Sequence, residues 1–260
     1  MSPFLEQYVA VLPVLLLAST MLWTLSVKLK NVSIVDPMWS MFFVIAAWFF
    51  YANLEQHSVR GLLVCVLVSI WGVRLTAYLA WRAWGEPEDY RYQFFRKRFG
   101  AERYWWFSLF QVFWFQALLA WIILPPLLGA QLGVKDLGLL DYLALGLWLI
   151  GFIFEAGSDL QLARFKGNPD NKGKLLSTGF WTYTRHPNYF GDSACWWAYG
   201  LLAISAGYPV SAIGALFMTV LIIRVSGVML LEKGLNKNKP GYAEYVARTS
   251  AFIPMPRKSR

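Results

Sequence analysis

The chain has 260 residues, of which 57% are hydrophobic, 18% aromatic and only 15% charged. Soluble domains carry about 25% charged and 45–50% apolar residues, so the composition excludes a disordered protein, a basic nucleic-acid-binding domain and an ordinary cytosolic globule. The formal net charge of +9 lies in short runs between long apolar stretches, which membrane topology explains better than a nucleic-acid partner.

A spanning helix needs about 20 mostly apolar residues. Seven runs meet or approach that length: 8–27, 37–51, 61–81, 105–128, 139–155, 192–206 and 209–231. Glu6 is the only charge before the first run, and no basic leader precedes it, so that run is expected to be a retained helix. The expected fold is therefore all-α: one multi-pass membrane domain of seven transmembrane helices. Lys and Arg concentrate in 28–36, 82–104, 156–191 and the tail from 232, while the alternate loops hold only Arg60 and Lys135. Basic loops stay cytoplasmic, which places the N-terminus outside and the C-terminus in the cytoplasm.

Ionisable groups inside apolar runs are costly and usually face a cavity or a partner. Trp71, Arg74 and Tyr78 share one face of the third helix. Glu155 and Asp159 stand four apart near the end of the fifth, where two like charges on one face need cations or donors. Asn188 and Asp192 are four apart at the start of the sixth, and Arg224 and Glu232 share a face of the last. Asp36, before Pro37, opens the second helix as a cap or as a functional acid.

The segment 164–192 mixes Gly, Asn, Lys, Ser and Thr with aromatics. Such a loop can wrap a polyanionic, ring-containing ligand, with cations on phosphates and aromatic faces on a base. It has neither a dinucleotide-binding GxGxxG nor a P-loop. His186 and His57 are the only histidines and fall on opposite sides of the membrane, and Cys65 and Cys195 lack ligand spacing, so no metal site is expected.

The motifs DPMW at 36–39, EDYRY at 88–92, STGFWTYTRHPNYFGD at 177–192 and KPGYAEYVARTSAFIPMP at 239–256 resemble the steroid 5-alpha-reductase superfamily, and more closely its bacterial membrane members. The resemblance covers the whole chain and is strongest over 150–260. It implies seven helices, a cytoplasmic C-terminus and NADPH-dependent reduction of a carbon–carbon double bond conjugated to a ketone, as in 3-oxo-4-ene steroids. It implies a nicotinamide-nucleotide site built from Asp159, Lys166, Asn188, Tyr189, Asp192, Arg224 and Tyr245. Arg82, Arg91, Arg185 and Arg248 would meet the phosphates, and Trp181, Tyr183, His186 and Tyr242 would complete the lining. For the ketone, the resemblance brings Asp36 to the position of an acid and puts Trp71 where a tyrosine is expected. Tyr78, two turns on, is the candidate substitute. RHPNYFG with a GYAEY-like stretch also resembles the isoprenylcysteine and phospholipid methyltransferases, which use S-adenosylmethionine.

Overall fold

The computed structural model describes residues 2–226 and 241–257. The end of the last apolar run, Glu232 and the tail lysines Lys233, Lys237, Lys239 and Lys258 lie outside the described residues. Among those described the chain is helical with no strands, and an isolated bridge joins Thr184 to Ser250. In chain order the helices are α1 (Pro3–Leu29), α2 (Val35–Asn53), α3 (Val59–Ala83), α4 (Tyr90–Phe99), α5 (Ala101–Ser108), α6 (Phe115–Ile123), α7 (Pro125–Leu132), α8 (Leu139–Gly167), α9 (Pro187–Ser205), α10 (Ile213–Val220) and α11 (Tyr242–Arg248).

Local chemistry sets the boundaries. Ser2, Ser58 and Asp89 cap α1, α3 and α4 by accepting from Leu5, Gly61 and Arg91 amides. A π-helical turn, Leu109–Trp114, joins α5 to α6, and a second, Leu221–Ser226, follows α10. Pro125 and Pro126 cannot continue α6, so the apolar run at 105–128 breaks there and a short, largely buried α7 begins.

Five helical stretches are long and apolar enough to cross a membrane: Pro3–Leu29, Val32–Asn53, Val59–Ala83, Ala101–Ile123 and Leu139–Gly167. The expected second and third runs each gain two residues at both ends. The fifth runs twelve residues past Glu155, because Ser158 and Asp159 are packed in the bundle and the exposed Arg164 and Lys166 suit the helix's C-terminal end. The sixth starts at Pro187 rather than 192. It is not among the five, because it carries Asn188, Asp192, Ser193 and Tyr199. It also occupies the middle of the bundle, against α7, α8 and α10, so it needs no lipid-facing apolar surface. The described part of the seventh, Pro209–Arg224, is a shorter apolar helix.

Hydrogen bonds tie alternate loops to opposite ends of the bundle. At the end holding the N-terminus, Gln7 donates to the Asn53 carbonyl, Tyr8 to that of Trp121, and Ser205 to Asp141. At the other end, the Val32 amide donates to Glu88, Asn188 to Asp159, and Arg257 to the Ser177 carbonyl. These are the two loop sets that the basic residues distinguish.

The first end is held by a buried ion pair. Arg60 meets Asp141 at 2.7 Å, with both side chains 1% exposed. Arg60 also donates to the carbonyls of Gly133, Lys135 and Asp136, and Asp141 accepts from Ser205 and the Gly138 amide. With every Arg60 N–H and both Asp141 oxygens partnered, the two charges tolerate burial, and removing one strands the other. Asp141→Ala is expected to cost about 3–5 kcal/mol, read as lost thermal stability in detergent. Lys135→Ala keeps the carbonyl that Arg60 uses and should be near neutral.

Candidate functional site

The site is set by how closely α8 and α9 approach. A Cβ added to Gly191 would lie 2.5 Å from the Gly151 carbonyl oxygen and 2.7 Å from the Glu155 Cβ. Only glycine permits that crossing, the close backbone approach that small residues allow in membrane bundles. One and two turns past Gly151, the same α8 face carries Glu155 and Asp159, and α9 supplies Asn188 and Asp192 on either side of Gly191.

Helix α3 brings the counter-charge. Arg74 pairs with Glu155 at 2.5 Å and with Asp159 at 2.8 Å. Trp71 Nε1 donates to the second Glu155 oxygen at 2.9 Å. Asn188 Nδ2 donates to Asp159 Oδ1 at 3.3 Å, and the Tyr78 hydroxyl to the Asp159 backbone carbonyl at 3.2 Å. The guanidinium of Arg74 also lies 5.6 Å from the Phe152 ring centre. Asp192 feels the same charges, and its Oδ1 is buried without a hydrogen-bond partner among the described residues. One arginine is therefore paired with two buried acids, and a third, half-buried carboxylate stands on the adjoining turn of α9. Such a cluster attracts a donor-rich group such as an amide or a sugar hydroxyl, and repels phosphate.

Asp36 belongs to a second network. Its oxygens accept from the Tyr92 hydroxyl at 2.6 Å and from Arg91 at 2.7 Å. Arg91 also grips Asp89 at 2.9 Å, while Glu88 binds Arg96 and the Val32 amide. The 84–89 loop and α4 are thus strapped onto the start of α2. Burial, reinforced by Asp36, pushes the Tyr92 hydroxyl well above the ordinary phenol range. Burial pushes the Asp89 carboxyl up, but the hydrogen bonds from Arg91 outweigh it and hold Asp89 below its usual value.

A third network joins the 181–186 segment to the C-terminal one. The Tyr245 hydroxyl donates to the Trp181 carbonyl at 2.6 Å. Arg185 donates to the carbonyls of Val246 and Thr249, closing the end of α11. Thr184 donates to the carbonyls of Ala251 and Phe252, and the Met255 amide to that of Tyr183. His186 is buried and stacks on Tyr189, with ring centres 5.7 Å apart. Tyr242 is buried, and the indole Nε1 of Trp181 is buried and unpartnered among the described residues.

The structure therefore unites Arg74, Tyr78, Asp159, Asn188 and Asp192. It joins Asp36 to Arg91 and Tyr92 rather than to Tyr78. The guanidinium of Arg82 lies 5.7 Å from the Tyr78 ring centre. Lys166 stands exposed at the end of α8, beside a cleft of 270 Å³ shared with Lys172 and Lys174. Arg224 is exposed on the second π-helical turn, and Arg248 pairs with Glu244 at 3.5 Å. Neither that cleft nor one of 310 Å³ beside α1 is lined by Asn188. Sequence reading missed Tyr92 as the partner of Asp36, although EDYRY contains it. Trp71 is expected on the Arg74 face and at the position of a tyrosine; its indole instead fixes Glu155.

Residues 22–249 match the family described as a protein of unknown function, DUF1295, and the chain belongs to it. The uncharacterized protein C594.04c of Schizosaccharomyces pombe is 27% identical over 260 positions, covering 90% of this chain and 75% of that one. The Delta(14)-sterol reductase erg24 of S. pombe is 35% identical over 102 residues, 34% of this chain and 24% of the reductase. Delta(14)-sterol reductase ERG24A of Gibberella zeae is 34% identical over 84 residues, 27% of this chain and 17% of the reductase. The matched stretch thus spans a quarter or less of the sterol reductases' length. Together with the apolar helices, these likenesses mark a multi-pass integral membrane protein.

The depressed Asp89 carboxyl makes the loop strap pH-dependent in a definite direction. Its contribution is complete above the unfolded carboxylate value of about 3.9 and is lost as pH falls through the lower folded value. Amides of α4 should stay protected from hydrogen exchange down to about pH 4, then lose protection in wild type. In Asp89→Asn the protection should be weaker than in wild type above about pH 4 and should lack the loss that wild type shows below it.

Proposed function

We propose that this protein is an NADPH-dependent reductase of the double bond conjugated to a ketone in an apolar lipid, with 3-oxo-4-ene steroids as the model substrate. In this reading seven spans place the N-terminus outside and the C-terminus in the cytoplasm, so the basic loops and the Arg74 cluster share the cytoplasmic end. The observation that carries it is the buried acidic cluster with its unpaired Asp192 oxygen. The likeness to sterol reductases supports the reaction class.

The residues fit the proposed cofactor. Asp192 Oδ1 is an acceptor in want of a donor, and Trp181 Nε1 a donor in want of an acceptor. A carboxamide and ribose hydroxyls would supply both, held by Asp159, Asn188, Tyr189 and Asp192. Phosphates would fall to the outward cations Arg82, Lys166 and Arg248. Arg91 and Arg185, already bonded to Asp36 and to α11 carbonyls, would act mainly by fixing the loops. Bound there, NADPH supplies a hydride. The chain orients it, excludes water and stabilises negative charge that develops on the ketone oxygen, worth about 2.7–4 kcal/mol per donor. Asp36 and Tyr78 are the proposed polarising pair. Tyr78 can donate to a ketone by releasing the Asp159 carbonyl, and Asp36 only when protonated, either directly or by donating to the Tyr92 hydroxyl so that the phenol proton turns to the ketone.

Full-length protein in detergent, given NADPH and progesterone, should consume NADPH and form the 5α-reduced ketone. NADPH titration should quench tryptophan fluorescence. Asp159→Ala should weaken NADPH about 10–100-fold, the worth of a charge-assisted hydrogen bond of about 1.5–3 kcal/mol. Asp36→Ala should keep NADPH affinity and lose turnover. Methyl transfer from labelled S-adenosylmethionine would establish the methyltransferase reading, and absence of any dinucleotide affinity would leave a sterol-binding protein.

A further inference from the structure

A second polar recess lies on the same end of the bundle, away from the Arg74 cluster, where the end of α1 meets α4 and α5. It encloses 310 Å³ and is lined by Ser26, Lys30, Arg96, Tyr104, Trp105 and Ser108, with apolar contributions from Val27 and Val32. That volume is at the bottom of the range for small-molecule sites, suited to a headgroup rather than a sterol. Its charge is not balanced. Arg96 is bound on two of its nitrogens by the Glu88 carboxylate, so the two cancel. Lys30 has no ion pair among the described residues, leaving the recess with an excess of one positive charge.

Tyr104 supplies an independent sign that a ligand is wanted. It is fully buried, with Arg96 5.1 Å from its ring centre, and its hydroxyl has no hydrogen-bond partner among the described residues. A buried hydroxyl with no partner is left short of the hydrogen bond that water would give it. Ser26 and Ser108 donate to the Trp23 and Trp105 carbonyls, which leaves their oxygens as acceptors. The surroundings are those of a headgroup layer. Trp81, Trp84, Tyr90, Trp105 and Trp106 are exposed, and Lys28, Lys97, Arg98 and Arg103 are exposed nearby in the chain. Aromatic rings and cations together mark a membrane interface facing anionic lipid.

We propose that this recess binds the phosphodiester of an anionic lipid headgroup, with Lys30 as counter-charge and Tyr104 as hydrogen-bond donor. The site is independent of the redox reading, since it shares no residue with the Arg74 cluster. One negative charge matches the recess's single excess positive charge, and a glycerol hydroxyl can be met by Ser26 or Ser108. The lipid would fasten α1 to α4 and α5 at the membrane surface.

The test uses the full chain in nanodiscs of phosphatidylcholine alone or with phosphatidylglycerol, with retained lipid counted by native mass spectrometry after detergent extraction. Wild type should retain one phosphatidylglycerol in preference to phosphatidylcholine and unfold at a higher temperature when it is present. Tyr104→Phe and Lys30→Asn should each reduce that retention at least tenfold and abolish the thermal shift, while Lys28→Asn should not. Asparagine tolerates the left-handed backbone of Lys30, φ 52°, and loss of an unsatisfied hydroxyl should not harm folding, so both variants remain assayable. Displacement of the lipid by millimolar inorganic phosphate would assign the site to a soluble phosphate compound and overturn the lipid assignment. Equal retention of both lipids, or retention unaffected by the two variants, would overturn the site.

Discussion

The close crossing of α8 and α9 is the constraint on which the rest depends. Gly151 and Gly191 let two backbones approach to a separation no side chain would permit. That approach places Glu155, Asp159, Asn188 and Asp192 within reach of one another and of Arg74. Separated by a methyl group or two, the same residues would be scattered charges in hydrocarbon, each costing several kcal/mol. Brought together they form a network whose cost is spread over shared hydrogen bonds. The direction of cause runs from the smallest side chains to the most strongly charged ones.

The two ends of the bundle treat buried charge differently. Arg60 and Asp141 form a closed account: one cation, one anion, and backbone carbonyls for every spare N–H. That arrangement locks helices together and offers nothing to a ligand. Around Arg74 the count is uneven, and an acceptor oxygen is left over. An imbalance held in a low-dielectric setting is a standing demand for a donor, which is the difference between a structural ion pair and a candidate site.

Much of this was legible from the order of residues. Apolar run lengths locate α1, α2, α3 and α8, because lipid-facing surface must be continuous. The division of basic residues predicts which loops gather at which end. The spacing of Trp71, Arg74 and Tyr78, and of Glu155 and Asp159, places them on single faces that do meet. What escaped depends on tertiary contact. The twelve-residue extension of α8 reads as loop because Asp159 interrupts the apolar run, whereas in the fold it is paired across the bundle with Arg74 and Asn188. Tyr92 lies fifty-six residues from Asp36, and no local pattern encodes such a pairing. Arg185 looks like a phosphate ligand by type, yet its guanidinium is taken up by carbonyls at the end of α11. Pro125 was visible in the sequence and could have divided the fourth run, since its ring forbids the continuation.

Helix α9 is central, largely covered and less apolar than its neighbours, with an amide and a carboxylate in its first two turns. Alone, such a segment partitions poorly from an aqueous translocation channel into lipid. Any entry of such a segment into a bilayer would need help from helices already there, above all α8, whose glycine face receives it. The polar groups gathered at the bundle's centre thus also imply an order of assembly, in which α8 is in place before α9 settles against it.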